Sequence, residues 1–265
     1  MDLGLRDRVC VVTGASRGIG RATATAFGSE GAAVLLTGRS EAPLAAAAQS
    51  CRDAGARAET LVLDITSPDA GERLLSACIE RYGRIDVLVN NAGTSAVKPL
   101  HALADEDWQT QWELHVMGPM RLMRAVAPAM AQKGWGRIVN VCSSSGKRPS
   151  KTNAAYSVTK AAELSLSRAF ADEYAATGVL VNAIAPGPVA TELWMQDGGL
   201  ADQTAALRGI TREQVLESAA ARVPIGRLGT EQEIAAVIVF LCSEAASNVA
   251  GAAWSVDGGS VPVII

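Results

Sequence analysis

The 265-residue chain has no excess of basic residues: 24 Lys and Arg stand against 27 Asp and Glu, for a net charge of −3. Nothing therefore draws it to nucleic acid or to an anionic lipid surface, and neither is expected as a partner. Long apolar runs are missing too. Stretches such as 235–242 fall far short of the ~20 residues that cross a bilayer. The opening residues, Met1 to Arg8, lack a basic segment followed by an apolar one, so no secretory signal is read and a cytoplasmic protein is expected. Only two His accompany five Cys, which stand at 10, 51, 78, 142 and 242. That spacing fits neither a disulfide framework nor a metal site. The cysteines are expected to be reduced, part-buried small hydrophobes, and no metal is expected. Glycine and proline, 25 and 10 residues, are ordinary in number and exclude a collagen-like or low-complexity chain.

What is present is material for a large core. Hydrophobic residues make up 49% and charged residues 19%. Short, continuously apolar runs alternate with longer helical stretches. The spacing predicts strands over 8–13, 33–37, 58–63, 85–89, 137–142, 179–184 and 252–256. Continuous apolarity is the mark of parallel strands buried on both faces. Helices are predicted over 18–29, 41–54, 68–81, 105–132, 154–176 and 230–243. Strand–helix alternation implies βαβ units with right-handed crossovers, hence an α/β fold with a Rossmann-like, doubly wound, seven-stranded parallel sheet between two helical layers. No repeat or linker divides residues 1–265, which read as one dinucleotide-binding and catalytic domain. The segment 192–224 breaks the rhythm, with short helices near 201–207 and 211–221. A long connection at this place reads as a substrate lid.

The first predicted strand runs into Thr13-Gly14-Ala15-Ser16-Arg17-Gly18-Ile19-Gly20. Glycines there let the backbone approach a pyrophosphate, whose charge the following helix N-terminus favours. After the second strand an acidic residue would bind adenosine ribose hydroxyls and mark NAD. This chain offers Gly38-Arg39 instead. Arg39 and Arg17 can clamp a 2′-phosphate through charge-assisted hydrogen bonds, so NADP(H) is expected in preference to NAD(H).

Tyr156 and Lys160 are i and i+4 on one predicted helix and therefore share a face. A free phenol releases its proton near pH ~10, and a fixed cation beside it favours release nearer neutrality. Tyr156 is thus a candidate general acid for a carbonyl oxygen, or general base for an alcohol. Ser143, just past a buried strand, is a candidate hydrogen-bond donor to the reacting oxygen.

These motifs, in this order, resemble the short-chain dehydrogenase/reductase family, near its 3-oxoacyl-(acyl-carrier-protein) reductases. The resemblance rests on 13–20, Asp64, Asn90-Asn91-Ala92-Gly93, Ser143, Tyr156, Lys160, Pro186-Gly187 with Thr191, and Val256-Asp257-Gly258-Gly259. It implies hydride transfer between NADP(H) and a ketone/secondary alcohol pair. In that comparison Gly14, Ser16, Arg17, Gly18, Ile19 and Gly20 hold the diphosphate, and Asp64 and Ile65 contact adenine. Asn90, Asn91, Ala92 and Gly93 line the adenosine side and brace the sheet. Lys160 also holds the nicotinamide ribose, beside Tyr156. Pro186, Gly187, Val189 and Thr191 seat the carboxamide and phosphate.

One position departs from the family. Where relatives carry Asn-x-x-Gly, this chain reads His115-Val116-Met117-Gly118. The family Asn kinks its helix and holds a water of a proton relay. His115 is therefore a fourth candidate, acting through its ring or its main-chain carbonyl. Trp108, Trp112, Met117, Met120 and Met123 read as a packing or subunit-contact stripe, and a homotetramer is expected. Lys147, Arg148 and Lys151 are either a solvated loop or a site for an anionic substrate group. The substrate is expected to be a small carbonyl or alcohol. It is 3-oxoacyl-like, or else a cyclic, sugar-derived or secondary-metabolite alcohol. Retention of both Tyr156 and Lys160 speaks against the remaining reading, a non-catalytic dinucleotide-sensing regulator.

Overall fold

The structure, a computed structural model, describes residues 1–262. Seven strands form one parallel sheet: β1 (Val9–Thr13), β2 (Ala33–Gly38), β3 (Arg57–Val62), β4 (Val87–Asn90), β5 (Gly136–Val141), β6 (Val179–Pro186) and β7 (Ala253–Val256). Their order is β3-β2-β1-β4-β5-β6-β7, which reverses direction between β1 and β4. In such sheets ligands bind beyond the carboxyl ends of the strands, at the reversal.

The helices are α1 (Gly18–Ser29), α2 (Glu41–Asp53), α3 (Ala70–Tyr82), α4 (Asp105–Trp112), α5 (Gly118–Gln132), α6 (Ser144–Lys147), α7 (Ala154–Tyr174), α8 (Glu192–Met195), α9 (Leu200–Arg208), α10 (Arg212–Ala221) and α11 (Glu231–Leu241). Successive strand residues point to opposite faces. Cys10 and Val12 join Phe27, Leu44 and Ile238 in a core under α1, α2 and α11. Val11 and Ile138 join Leu74, Leu122 and Val181 in a second core under α3, α5 and α7. The central strands are buried along both faces, as their apolar runs require, whereas the edge strands β3 and β7 leave exposed positions. All five cysteines are buried and free.

Three expectations change. The predicted helix 105–132 is not continuous. A π-helical turn, Glu113–Met117, separates α4 from α5, and the Gly118 N–H donates to the Glu113 carbonyl five residues back. Pro119 supplies the physical reason, because it has no N–H to give to an upstream carbonyl. Met123 is not a surface residue of the stripe: it is fully buried in the second core, while Trp112 is 43% exposed. The segment 192–224 holds three helices rather than two.

Candidate active site

The carboxyl ends of β1, β4, β5 and β6 open on one crevice. After β1 the chain turns through Gly14, with φ +62°, where a Cβ would stand 2.7 Å from the Ala92 Cα. A Cβ on Gly20 would stand 2.4 Å from the Gly14 carbonyl oxygen. Gly18, with φ +56°, is buried, and a Cβ added there would stand in ordinary contact with Glu192 and Thr191, at 3.6 and 3.7 Å. Helix α1 starts with no side-chain cap and no acidic residue in its first turn. Its free N–H groups and positive dipole end suit a diphosphate. Ile19 is tucked against the first core.

Thr13 and Asn91 make this loop rigid. The Thr13 hydroxyl oxygen accepts from the Asn91 and Ala92 N–H groups at 2.9 and 3.0 Å. The Asn91 amide donates to the carbonyls of Thr13 and Gly14 at 2.8 and 3.2 Å. Asn90 instead donates to Asn140 across β4 and β5, a purely internal bond. Beyond β2, Gly38 is followed by an exposed Arg39. Asp64 accepts from the Thr66 N–H and hydroxyl at 3.0 and 2.8 Å. The Thr66 N–H bond, helped by the hydroxyl and by Arg39 against partial burial, holds this carboxyl below the ordinary range. Ile65 is buried against Gly118. Pro186 ends β6, Gly187 packs on Asp257, and Val189 and Thr191 lead to α8 beside Gly18.

Ser143 caps α6 and accepts from the Ser145 N–H at 3.1 Å, which leaves its own hydroxyl hydrogen to give. A Cβ on Gly146 would stand 2.8 Å from the Lys160 carbonyl carbon, so only glycine lets α6 lie this close to α7. The Lys160 ammonium stands 5.8 Å from the Tyr156 ring centroid. It donates to the Val141 carbonyl at 2.9 Å. Tyr156 and Lys160 are thus neighbours on α7, and α6, which Ser143 caps, lies against that helix at Lys160.

The short chain dehydrogenase family matches residues 8–199. The chain belongs to the short-chain dehydrogenase family. It is an oxidoreductase that moves hydride between a nicotinamide cofactor and a ketone/secondary alcohol pair. It is 37% identical over 255 residues to the short-chain reductase protein NovJ of Streptomyces niveus, covering 96% of this chain and 94% of that one. Its identity to the 3-oxoacyl-(acyl-carrier-protein) reductase FabG of Escherichia coli is also 37%, over 253 residues, 95% and 96% of the two chains. The structure matches that of L-sorbose reductase from Gluconobacter frateurii, complexed with NADPH and L-sorbose, with a TM-score of 0.93 and 36% identity over all of both chains.

In this dehydrogenase the ring of His115 is fully buried under Tyr156, edge-on at 5.2 Å between centroids. The Thr159 hydroxyl donates to the Tyr156 carbonyl at 2.9 Å, so at 3.2 Å it accepts from His115 Nδ1. Nε2 then accepts from the Thr94 N–H at 3.3 Å. Both ring nitrogens are engaged, and the remaining acceptor of this residue is its main-chain carbonyl. Pro119 deprives that carbonyl of its α-helical donor. Burial first, then the Lys160 charge, pushes His115 well below the usual imidazole range, so the ring is neutral near pH 7.

The sign of the pH effect follows. Below about pH 6.5 the unfolded chain takes up a proton on His115 that the folded chain refuses, so stability is lost as pH falls. Thermal melts between about pH 7.5 and 5 should show a smaller loss in His115→Asn than in the wild type, and the wild-type pH–rate profile should show no inflection near ~6.5 from this ring. An inflection there that His115→Asn abolishes would put the ring in the relay.

Several contacts have no sequence signature. Arg17 donates to Gln196 at 2.5 Å, and Arg21 pairs with Glu192 at 3.3 Å, tying the segment 192–224 to the glycine loop. Gln203 of α9 accepts from the Val97 N–H at 2.9 Å. Lys147 turns away from the predicted basic cluster and donates to the Ala253 carbonyl and the Ser255 hydroxyl on β7, at 2.6 and 3.0 Å. Glu163, the buried partner of Lys160, carried a readable signal, since i and i+3 share a helix face. Among the described residues no group of His, Cys, Asp or Glu is arranged to hold a metal ion, and no helix is long and apolar enough to cross a membrane.

Proposed function

We propose that the chain is an NADPH-dependent reductase of a small, uncharged ketone. The observation that carries this reading is the Tyr156–Lys160 pair on α7, with α6 and its cap Ser143 packed alongside, together with an uncapped helix after the glycine loop. Ser143 donates its hydroxyl hydrogen to the substrate oxygen while accepting from the Ser145 N–H. Tyr156 gives that oxygen a proton, or takes one from an alcohol in the reverse direction. Lys160 has three N–H groups and spends two inside the protein, on Val141 and Glu163. The third is left for the site, to steady the phenol or the nicotinamide ribose. NADPH, when bound, supplies the hydride, and the chain supplies geometry and charge.

Preference for NADPH is supported by Gly38-Arg39 beyond β2 and by Arg17, with no carboxylate there to meet ribose hydroxyls. It is in keeping with the NADPH complex of the sorbose reductase. An uncharged substrate is supported by Lys147, whose ammonium bonds to β7. We read the segment 192–224 as a lid whose Leu193, Trp194 and Met195 flank Thr191, and residues 1–262 as a single domain working in the cytoplasm. Buried, free cysteines fit a reducing compartment.

The test is an absorbance assay of purified protein with NADPH and NADH against ketoses, cyclic diketones and 3-oxoacyl thioesters. NADPH should be consumed with at least one uncharged ketone; no consumption with any class would overturn the reading. A homotetramer is also proposed, supported by the exposed Trp112 on α4 and Trp254 on the edge strand β7. Light scattering at micromolar concentration should return four times the chain mass, and a stable monomer would refute it.

A further inference from the structure

Lys160 does not stand alone. Glu163, one helical turn further along α7, reaches its ammonium at 2.7 Å. The residues are 3% and 1% exposed, so the pair is shut away from water. A buried carboxylate is costly unless something requires its charge. We propose that Glu163 is the counter-ion of the active-site lysine, a positioning residue that fixes the Lys160 head group beneath Tyr156 and against the Val141 carbonyl. The inference rests on the reading of Lys160 given above.

Among the described residues Glu163 is the carboxylate that pairs with the Lys160 ammonium. Tyr156 lies on the same helix. The Cys142 thiol, at the end of β5, bonds to the Glu163 carboxylate. Burial pushes this thiol well above its ordinary range, so it brings no charge. The His115 ring in the π-helical turn is neutral, and Lys147 on α6 bonds to β7. Strand β6, packed against α7, has no titratable side chain. Burial favours a neutral Lys160 amine, but Glu163, with smaller help from Tyr156 and Cys142, holds the ammonium above its ordinary value. Burial likewise raises the Glu163 carboxyl, against the pull of Lys160. Without the carboxylate the desolvation would prevail, and buried lysines then lose their proton far below pH ~10.

The experiment is the pH dependence of kcat and of NADPH affinity in Glu163→Gln, which keeps an oxygen for the lysine to donate to but removes the charge. The alkaline limb of kcat should move down by about one pH unit or more, and Glu163→Asp should recover part of that shift. A Glu163→Gln protein that melts cooperatively, binds NADPH and keeps the wild-type limb would overturn the proposal. Lys160→Met separates the two readings: turnover retained there would remove Lys160 from the mechanism, whatever Glu163 does. If the Gln variant does not fold, melting of Glu163→Leu against Lys160→Met/Glu163→Leu decides. The double variant should melt higher, since it no longer buries a bare ammonium. A double variant no more stable than the single one would contradict the pairing.

Discussion

Tyr156→Phe should lose turnover by about 10³-fold while binding NADPH as the wild type does. The substitution removes one oxygen and keeps the ring, so the edge-on contact with His115 and the start of α7 remain packed. The hydroxyl is the proposed proton donor. His115 is neutral with both nitrogens engaged, and Lys160 is bonded to Val141 and Glu163. A positioned acid contributes on the order of 10²–10⁴-fold, which sets the size of the loss. Stopped-flow fluorescence for binding and absorbance for turnover separate the two effects. Retention of more than a few per cent of kcat would require another acid.

Arg39→Ala should raise the KM for NADPH about 10- to 100-fold and leave that for NADH nearly unchanged. The range is that of one charge-assisted hydrogen bond, ~1.5–3 kcal/mol. Arg39 follows Gly38 directly, at the exposed end of β2, with Asp64 close enough to feel its charge. Arg17 is already tied to Gln196, so it can share a 2′-phosphate only by giving up or sharing that bond. This makes Arg39 the larger contributor of the two. Parallel saturation curves with both cofactors check it, and equal losses for both would remove Arg39 from the phosphate.

The sequence made the central sheet readable because strands such as VCVVT and GRIVNV are buried on both faces and need no alternation to be seen. The glycine loop was readable for a steric reason. Gly14 and Gly20 sit where a Cβ would strike backbone, and that demand shows directly as residue type. Other features are set by tertiary neighbours. Apolar spacing places Met123 on a face of its helix but does not say whether a second subunit or the chain's own core covers it. The turn at Glu113–Met117 leaves that spacing almost intact; the signs of it are Pro119 and the kink that the family resemblance implies at His115. The bonds of Lys147 to β7 and of Arg17 to Gln196 span 106–108 and 179 residues of sequence, so no local pattern announces them. Glu163 was legible in position but not in burial: i,i+3 pairs are common on solvated faces, where they count for little.

The fate of the transferred hydride tests the proposed chemistry most directly. Purified protein can be given a ketone and NADPH that carries deuterium at the transferable position of the nicotinamide, and the alcohol analysed by mass spectrometry. One deuterium should appear on the carbinol carbon with the wild type, with almost none formed by Tyr156→Phe in the same time. Product alcohol without the label, or equal labelling by the two proteins, would contradict it.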